Sequence, residues 1–487
     1  MSEHNMENLG NARFGGYPLV ETALLPDVTM EMLSPAFWVG VDHATIDQSE
    51  HRSTLQQHIR EHSNAMNVLL DLWRRWSGAS EANAAHSESE TNDTSATFPQ
   101  SDSAKQVPVP RPVLPTTEDI LYGADGHEFT RAFWDSLKAK IQSAHPVADN
   151  SLGATAVLPV QPGFSVSRAN LRRFPMAAPG FRTPTDREFD RFQDTALHTF
   201  EPVLIVLQTS DNEWYYVVSE TYSGWVLAEH IARTTAEEFV KWSGITNDAG
   251  ANRFLIPLAN SIYTQVAPYD EAVSLKRLEF GAYLPLCEDQ QGLGNQNIAG
   301  NAAIYYPVRN RDGWLEVRRA LVGVVAPLSV GFRPYTREAV VNSAFSLLGE
   351  RYGWGDSFGN HDCSSLIMDS YRTIGIQLPR DAHKQEESLP NRLPIPEEAT
   401  FEERTELLKS LSPGDPLYMP GHTMMYLGYR KGHHYMIHDF AGYSESNSEG
   451  MRSVPVNEVM VSTLDIHMAS GKTYLEALTS GASLFPR

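Results

Sequence analysis

Cys363 is the residue of this chain whose type and surroundings best suit chemistry. It is one of two cysteines among the 487 residues, the other being Cys287. It follows Asp362, a good N-cap, and begins an apolar-periodic segment that predicts a helix ending at Gly375. A helix N-terminus carries about half a positive charge, which favours a thiolate over a thiol. Cys363 is therefore a candidate nucleophile, and the alternatives are a small buried residue or a disulfide with Cys287.

A nucleophilic thiol needs a base, and two histidines follow at strand positions. His422 begins the segment HTMMYLGY, whose alternation places its side chain on the face of Met424 and Tyr426. His438 lies near the end of the next segment, HYMIHDF, where it can orient the base. Each of the 17 histidines alone proves little. The order Cys363, His422, His438 on a helix and two successive strands predicts cysteine-dependent acyl transfer.

The same histidines also allow a metal interpretation. His434 and His438 fall on one face of the second strand, with His433 beside them, and paired strand histidines can bind zinc. No carboxylate or cysteine lies at an obvious ligand spacing, and His438 already has a role in the cysteine interpretation. We therefore predict no metal and no cofactor.

The elements around these residues predict an α+β domain over residues 336–487. Thr336 can cap a helix whose buried face includes Val340 and Leu347, and Gly349 is well placed to end it. The Cys363 helix follows. Three short strands, PGDPLYM, HTMMYLGY and HYMIHDF, then predict an antiparallel sheet.

Residues 344–440 resemble the NlpC-type (NlpC and p-sixty) peptidases, which have a papain-like core. The matching motifs occur in the family's order: A-x-x-L-L-G-x-x-Y-x-W-G (Ala344 to Gly355), D-C-S-S-L (Asp362 to Leu366), G-I-x-L-P-R (Gly375 to Arg380), P-G-D (Pro413 to Asp415), H-x-M-M-Y-L-G (His422 to Gly428) and M-I-H (Met436 to His438). The resemblance covers the last third of the chain. It implies that Cys363 is the nucleophile, His422 the base and His438 the orienting residue.

Three positions depart from the family pattern. Ser365 replaces the glycine of D-C-S-G, and Thr423 replaces the valine after the histidine. Asp356 and the insert SFGNH replace a glycine expected after Trp354–Gly355. No catalytic group is lost, but the insert borders the nucleophile and is expected to alter the cleft.

An internal repeat upstream predicts two small β-barrels, over residues 121–245 and 246–335. In each copy an apolar strand leads to a polar turn and a tryptophan, Trp214 or Trp314, followed by alternating strand residues. Gly224 or Gly323 then opens another strand. The pattern resembles bacterial SH3-like barrels.

Residues 1–120 are predicted to form a helical arm and a connector. Apolar residues from Leu55 to Trp76 recur at helical spacing and form one amphipathic stripe. From Gly78 to Pro115 the composition turns to Ser, Ala, Thr and Pro, which is typical of an exposed linker.

The arrangement of two barrels ahead of this domain is similar to that of γ-D-glutamyl-L-diamino acid endopeptidases of peptidoglycan turnover. In those enzymes the first barrel closes one end of the cleft, so the substrate must present a free L-Ala amine. The resemblance implies that Asp381 and a barrel tyrosine bind that amine. Tyr222 is the predicted tyrosine, with Tyr215 and Tyr216 as rivals. Two further residues, Asp362 and Ser364, flank the nucleophile and are candidate substrate contacts.

Composition excludes several other classes of function. The net charge of −21 opposes nucleic-acid binding, which needs Lys and Arg to neutralise phosphates. No apolar run reaches the length of about 18 residues expected of a membrane span. The N-terminus lacks the basic start and apolar run of an export signal, so we expect either a cell-envelope protein shown without its signal, the favoured option, or a cytoplasmic recycling enzyme.

Together these features predict a multidomain α+β protein with a helical arm, two SH3-like β-barrels and a C-terminal papain-like α+β domain. The predicted function is hydrolysis of the γ-D-glutamyl–diamino acid amide in peptidoglycan-derived peptides with a free N-terminal L-Ala. Two alternatives stay open: a non-catalytic wall-binding protein, and an acyltransferase on the same core.

Overall fold

The computed structural model divides the chain into two compact units. One contains residues 1–63, 333–352 and 360–487, and the other contains residues 64–332 and 353–359. We refer to them as the first and the second unit. The residues that the structure describes are 13–14, 17–18, 24–40, 49–76, 109–116, 120–147, 160–243, 254–448 and 450–485. Within these ranges no helix is both long and apolar enough to cross a bilayer. The four segments predicted from sequence are grouped differently here, and their boundaries stay a prediction.

The N-terminal part of the first unit is largely helical. Its elements are the short paired strands β1 (Arg13–Phe14) and β2 (Tyr17–Pro18), a 3-10 turn (Met30–Leu33), α1 (Pro35–Trp38) and α2 (Ser49–His62). Gln56 on α2 exchanges two hydrogen bonds with the backbone of Gln377, at 3.2 and 2.6 Å. These bonds connect α2 to the segment that follows the nucleophile helix.

The prediction of a single helix from Leu55 to Trp76 is wrong, because the helix is interrupted at Ser63. The next helix, α3 (Asn64–Trp76), begins one residue later and belongs to the second unit. Serine is a poor residue for a helix interior because its hydroxyl competes for backbone hydrogen bonds. Leu55 and Trp73 are nevertheless buried, as the stripe predicted.

An antiparallel seven-stranded sheet, ordered β5-β4-β8-β7-β6-β3-β9, dominates the second unit. Its elements are α4 (Arg131–Gln142), β3 (Gln161–Ser165), β4 (Ala169–Arg172), β5 (Gln193–Leu197), β6 (Pro202–Gln208), β7 (Trp214–Val218), β8 (Ser223–Leu227), β9 (Ile231–Arg233) and α5 (Ala236–Ser243). Both faces of β7 are buried, since Trp214 and Tyr215 pack into different apolar clusters. The predicted strands around Trp214 and Gly224 are confirmed.

The second copy of the repeat forms three small sheets around an apolar cluster of its own. Its strands are β10 (Phe254–Pro257), β11 (Ile262–Tyr263), β12 (Arg277–Leu278), β13 (Leu284–Pro285), β14 (Asn301–Arg309), β15 (Leu315–Gly323) and β16 (Leu328–Val330). Gly323 does not open a strand as predicted; it ends β15, paired with Asn301, because both strands of this hairpin run for nine residues. A second closed barrel stays a prediction.

The insert after Trp354 makes its contacts in the second unit. In the segment Gly353–Gly359, Gly355, Asp356 and Phe358 have φ values of 58°, 63° and 62°. A Cβ on Gly355 would lie 2.5 Å from the carbonyl oxygen of Gln193, so only glycine allows this approach. The Asp356 carboxylate accepts hydrogen bonds from the Thr195 hydroxyl at 2.8 Å and the Ala196 N–H at 3.3 Å. Strand β5 therefore anchors this segment.

The C-terminal part of the first unit is the predicted α+β arrangement. Its elements are α6 (Arg337–Phe345), α7 (Cys363–Arg372), α8 (Ala382–Ser388), β17 (Arg392–Pro394), α9 (Phe401–Leu408), β18 (Pro416–Met419), β19 (His422–Arg430), β20 (His433–Asn447), β21 (Gly450–Thr463), α10 (Tyr474–Ala477) and β22 (Ser480–Ala482). The sheet order is β17-β22-β18-β19-β20-β21, so the three predicted strands are neighbours. Gly349 and Gly375 lie three or more residues beyond the ends of α6 and α7, in turns with positive φ.

We expect the Asp356 carboxylate to protect the β5 backbone. Asp356→Ala removes the acceptor and places alanine at positive φ, and should destabilise this region by about 1–3 kcal/mol. Asp356→Asn retains an acceptor oxygen and tolerates the backbone conformation, so its effect should be smaller. Hydrogen exchange of the Ala196 amide is the measurement. Equal exchange in wild type and Asp356→Ala would contradict this role for the carboxylate.

Candidate active site

The first turn of α7 holds Cys363 in place. Asp362 is the N-cap: its carboxylate accepts the N–H groups of Ser364 and Ser365 at 3.1 and 3.0 Å. Its own N–H donates to the Ser365 hydroxyl at 2.9 Å, which completes a capping box. Ser365, which replaces the family's glycine, thus helps to cap the helix. Leu366 lies fully buried beneath this turn, so the thiol sits at the helix start above an apolar base.

Cys363 adjoins the strand that carries the first histidine. The thiol is 8% exposed, and the backbone N–H of Thr423, the residue after His422, lies near enough to oppose the burial that raises its pKa. Helix α7 packs directly on β19. Both cysteines of the chain are free, so the disulfide between Cys287 and Cys363 does not form.

A line of hydrogen bonds runs from His422 across three strands. Its Nε2 lies 2.9 Å from Nδ1 of His438, and Nε2 of His438 lies 2.9 Å from the Ser462 hydroxyl on β21. If each histidine carries its proton on Nε2, both bonds are satisfied and Nδ1 of His422 is free to accept a proton. His438 is fully buried and stacks on Phe440 with 3.8 Å between ring centroids. Its ring therefore has one orientation.

Burial keeps the candidate pair neutral at rest. It raises the pKa of the Cys363 thiol to about 12, and the Asp362 carboxylate adds to that increase. Burial also lowers the pKa of His422 to about 4 and that of His438 well below its usual value. The expectation of a lowered thiol pKa is therefore contradicted: desolvation and a neighbouring carboxylate outweigh the partial charge of the helix N-terminus.

Arg380 connects two of the predicted substrate contacts. It is 3% exposed and binds both carboxylate oxygens of Asp362, at 3.1 and 2.7 Å. It also donates to the Ser364 hydroxyl at 2.7 Å. The structure thus brings Asp362, Ser364 and Cys363 together. Arg380 itself was not predicted as a site residue, although it ends the motif G-I-x-L-P-R.

The other predicted substrate contacts lie in different surroundings. Asp381 precedes α8, and its half-exposed carboxylate pairs with Lys384 at 2.9 Å. Tyr222 lies in the second unit, half-buried against an apolar cluster. Its rivals Tyr215 and Tyr216 are buried in β7. Among the three tyrosines, Tyr222 is therefore the one that keeps exposed surface for a ligand.

The histidines of the metal interpretation each have a protein partner. His433 pairs with Asp465 at 2.5 Å, and His434 contacts the Tyr426 hydroxyl at 2.8 Å and the Thr405 carbonyl at 3.2 Å. In the part of the chain that the structure describes, no group of three or more His, Cys, Asp or Glu side chains could hold a metal ion.

A buried charge cluster lies just before Cys363 in the sequence. His361 is fully buried, with Glu350 Oε1 at 2.6 Å from Nδ1 and Asp369 Oδ2 at 3.2 Å from Nε2. Because a carboxylate faces each ring nitrogen, the ring needs both protons, and its pKa rises to about 10 despite burial. The cluster joins the end of the α6 region to the middle of α7. Nothing in the sequence pattern marks His361 as part of it.

Comparison with known families agrees with this geometry. Residues 349–464 match the NlpC/P60 family, and residues 179–227 match an SH3 domain of the SH3b1 type. The chain therefore contains an NlpC/P60 domain preceded by an SH3 domain, as the resemblance predicted. NlpC/P60 domains indicate a cysteine peptidase that hydrolyses peptidoglycan. The second barrel and the helical arm stay predictions.

One solved structure shows the same fold. The chain is similar to an NlpC/P60 endopeptidase from Photobacterium damselae subsp. piscicida, with 16% identity and a TM-score of 0.65, over 92% of this chain and 96% of that one. It is also similar to an NlpC/P60 family protein from Bacillus cereus ATCC 10987, with 18% identity and a TM-score of 0.39, over 61% and 83% of the two chains. No curated protein matches the chain.

The His361 cluster predicts a pH-dependent contribution to stability. A histidine whose pKa is raised on folding stabilises the folded state fully below its ordinary pKa of about 6.5, and this contribution is lost as the pH rises through about 10. His361→Gln leaves two buried carboxylates without their cation and should cost roughly 3–5 kcal/mol near pH 6. The difference in Tm between wild type and variant should shrink from pH 6 to pH 10. A constant difference would show that His361 is not protonated.

Proposed function

We propose that this protein is a peptidoglycan peptide hydrolase in which Cys363 is the nucleophile, His422 the base and His438 the residue that orients the base. The observation that carries the proposal is the line of hydrogen bonds from His422 through His438 to Ser462, which begins on the strand against which the Cys363 helix packs. A thiol, and a base hydrogen-bonded to an orienting group, are the parts that nucleophilic catalysis needs.

The first half of the reaction forms a thioester. The Cys363 proton passes to Nδ1 of His422, and the thiolate attacks the amide carbonyl carbon. The backbone N–H of Cys363, in the first turn of α7 where N–H groups lack helical partners, is available to stabilise the oxyanion. As the tetrahedral intermediate collapses, the C–N bond breaks and the His422 imidazolium gives its proton to the departing amine. The acyl group remains on sulfur.

The second half restores the free enzyme. His422 takes a proton from water, and the resulting hydroxide attacks the thioester carbonyl. The C–S bond then breaks, the product leaves as a carboxylic acid, and the proton on His422 returns to the Cys363 thiolate. Because the resting thiol and imidazole are both neutral, the charge pair forms only during the reaction. His438 remains neutral throughout and holds the plane of the His422 ring.

The proposed substrate is a short peptide, L-Ala-γ-D-Glu-diamino acid, cleaved after the γ-glutamyl group. A buried ammonium needs a carboxylate partner, since an unpaired charge removed from water costs several kcal/mol. Asp381 is the proposed partner. Asp362 is the second candidate carboxylate, because it adjoins Cys363 and is almost fully buried. Asp381 would have to exchange Lys384 for the substrate amine.

Removing the nucleophile should abolish hydrolysis. Cys363→Ala is expected to reduce kcat for the tripeptide by at least about 10³-fold, because no acyl-enzyme can form. Cys287→Ala removes the other buried thiol and is the matched control, with an unchanged kcat. Mass spectrometry of defined muropeptides measures both. Equal hydrolysis by wild type and Cys363→Ala would leave a wall-binding protein as the better interpretation.

The substrate's N-terminus tests the specificity. Peptides with a free L-Ala amine should be cleaved and N-acetylated ones should not, since acetylation removes the charge that a carboxylate recognises. Asp381→Asn should raise KM for the free peptide about tenfold or more while Lys384→Gln, its exposed neighbour, should not. Similar kcat/KM for the free and acetylated peptides would contradict amine recognition. An unchanged KM in Asp381→Asn would refute Asp381 as the amine partner.

A further inference from the structure

The second unit contains a cavity of about 610 Å³ that is rich in arginine. Its walls come from residues 113–116, 120–121, 173–182 and 191–194, together with Trp134 and Trp354. Three guanidinium groups, those of Arg173, Arg182 and Arg191, line it together with a single carboxylate, Asp194. The size is that of a cavity for a small organic ligand. In a chain with a net charge of −21, three arginines around one carboxylate make an unusually positive space.

Arg172, which precedes Arg173 in the sequence, has a purely structural role and serves as a comparison. Arg172 is 6% exposed and binds the Asp190 carboxylate at 2.5 Å, together with the Met176 and Ala178 carbonyls. Arg173 and Arg182 are exposed residues instead, and they border the cavity. Their charge therefore faces water and any solute that enters the cavity.

Aromatic stacking gives Arg191 a defined orientation. Its guanidinium lies 4.2 Å from the centroid of the Trp354 ring, a cation–π contact. Phe189 packs edge-on against the same tryptophan, with 5.8 Å between centroids. The planar fork of a guanidinium matches the geometry of a carboxylate. Ordering Arg191 in advance reduces the entropy lost when a ligand binds.

The wall that carries Trp354 is itself anchored. The neighbouring Gly355 carbonyl accepts a hydrogen bond from the Gln193 side chain at 2.9 Å, and Asp356 is bonded to β5 as described above. Gln193 also lines the cavity. The insert that departs from the family pattern thus supports one side of the cavity.

Apolar side chains are exposed in the first wall. Val113, Leu114 and Ile120 are 55%, 39% and 61% exposed and line the cavity. Phe174 and Phe192 contribute aromatic surface deeper in. A ligand that satisfies these walls has anionic groups for the arginines and an aliphatic part for the apolar side chains. Inorganic anions lack the second property.

We propose that this cavity binds a short peptide through its carboxylates, with the aliphatic side chains of the peptide against Val113, Leu114 and Ile120. The identification of that peptide as a peptidoglycan stem peptide rests on the proposed function; the carboxylate chemistry does not. A γ-linked glutamyl residue retains a free α-carboxylate, and a diamino acid at the peptide end adds another. Such a peptide supplies two anionic groups to a cavity that offers three guanidinium groups.

The test is equilibrium binding to the full chain carrying Cys363→Ala, which prevents turnover. Calorimetry with L-Ala-γ-D-Glu-diamino acid should show a Kd that rises about tenfold or more in the double variant Arg173→Gln/Arg182→Gln, because two charge-assisted contacts are lost. Arg187→Gln is the matched control: Arg187 is exposed, stacks over Phe181 and does not line the cavity. An unchanged Kd in the double variant overturns the proposal.

Ligand variants separate the sources of affinity. The peptide with both carboxylates amidated should bind wild type as weakly as the unmodified peptide binds the double variant. Inorganic phosphate should bind far more weakly than the peptide; equal affinity would overturn the peptide part of the proposal. Arg191→Lys, which keeps the charge and loses the planar fork, should also raise the Kd of the peptide.

Turnover separates this proposal from the proposed function. With Cys363 intact, hydrolysis of the tripeptide tests the peptidase independently of the cavity, which is tested by the Kd. Hydrolysis by wild type together with an unchanged Kd in the double variant would refute the cavity site and leave the peptidase standing. Carboxylate-dependent binding without any hydrolysis by wild type would support the cavity site and refute the peptidase.

Discussion

One buried carboxylate, that of Asp362, determines where the thiol lies. It caps the first turn of α7 and at the same time binds the guanidinium of Arg380. Both groups are less than a tenth exposed, so water could not solvate either charge if its partner were lost. Loss of either partner would leave an uncompensated ion in the interior, which costs several kcal/mol. The position of Cys363 therefore depends on an ion pair more than on the packing of its own small side chain.

The same carboxylate influences the protonation of both Cys363 and His422. Its negative charge opposes ionisation of the Cys363 thiol and favours protonation of His422. Burial acts in opposition on the histidine and dominates, so the thiol and the imidazole both rest neutral. With the proton of each ring on Nε2, the line through His438 to Ser462 leaves Nδ1 of His422 as an acceptor. The resting site therefore has its hydrogen bonds formed, whereas its thiol and imidazole are uncharged.

Local patterns in the sequence were sufficient for the parts of the site that lie on single elements. The N-cap at Asp362 and the alternation that presents His422 are short-range properties, and the hydrogen bond between His422 and His438 follows from adjacent strands. Ser462 could not be predicted because β21 returns from a long hairpin whose register no local signal specifies. The raised thiol pKa was missed for a related reason: burial is a property of the assembled core, and a helix-terminus argument considers only the helix.

A protonated thiol at Cys363 affects how easily the protein is oxidised. Peroxides oxidise thiolates, and the first product, a sulfenic acid, proceeds to irreversible forms when no thiol is near. Cys363 at rest is protonated and 8% exposed, and Cys287 is buried in the other unit, so neither sulfur is a ready target for oxidants. A thiol that stays protonated and buried needs little help from cellular reductants to remain unoxidised.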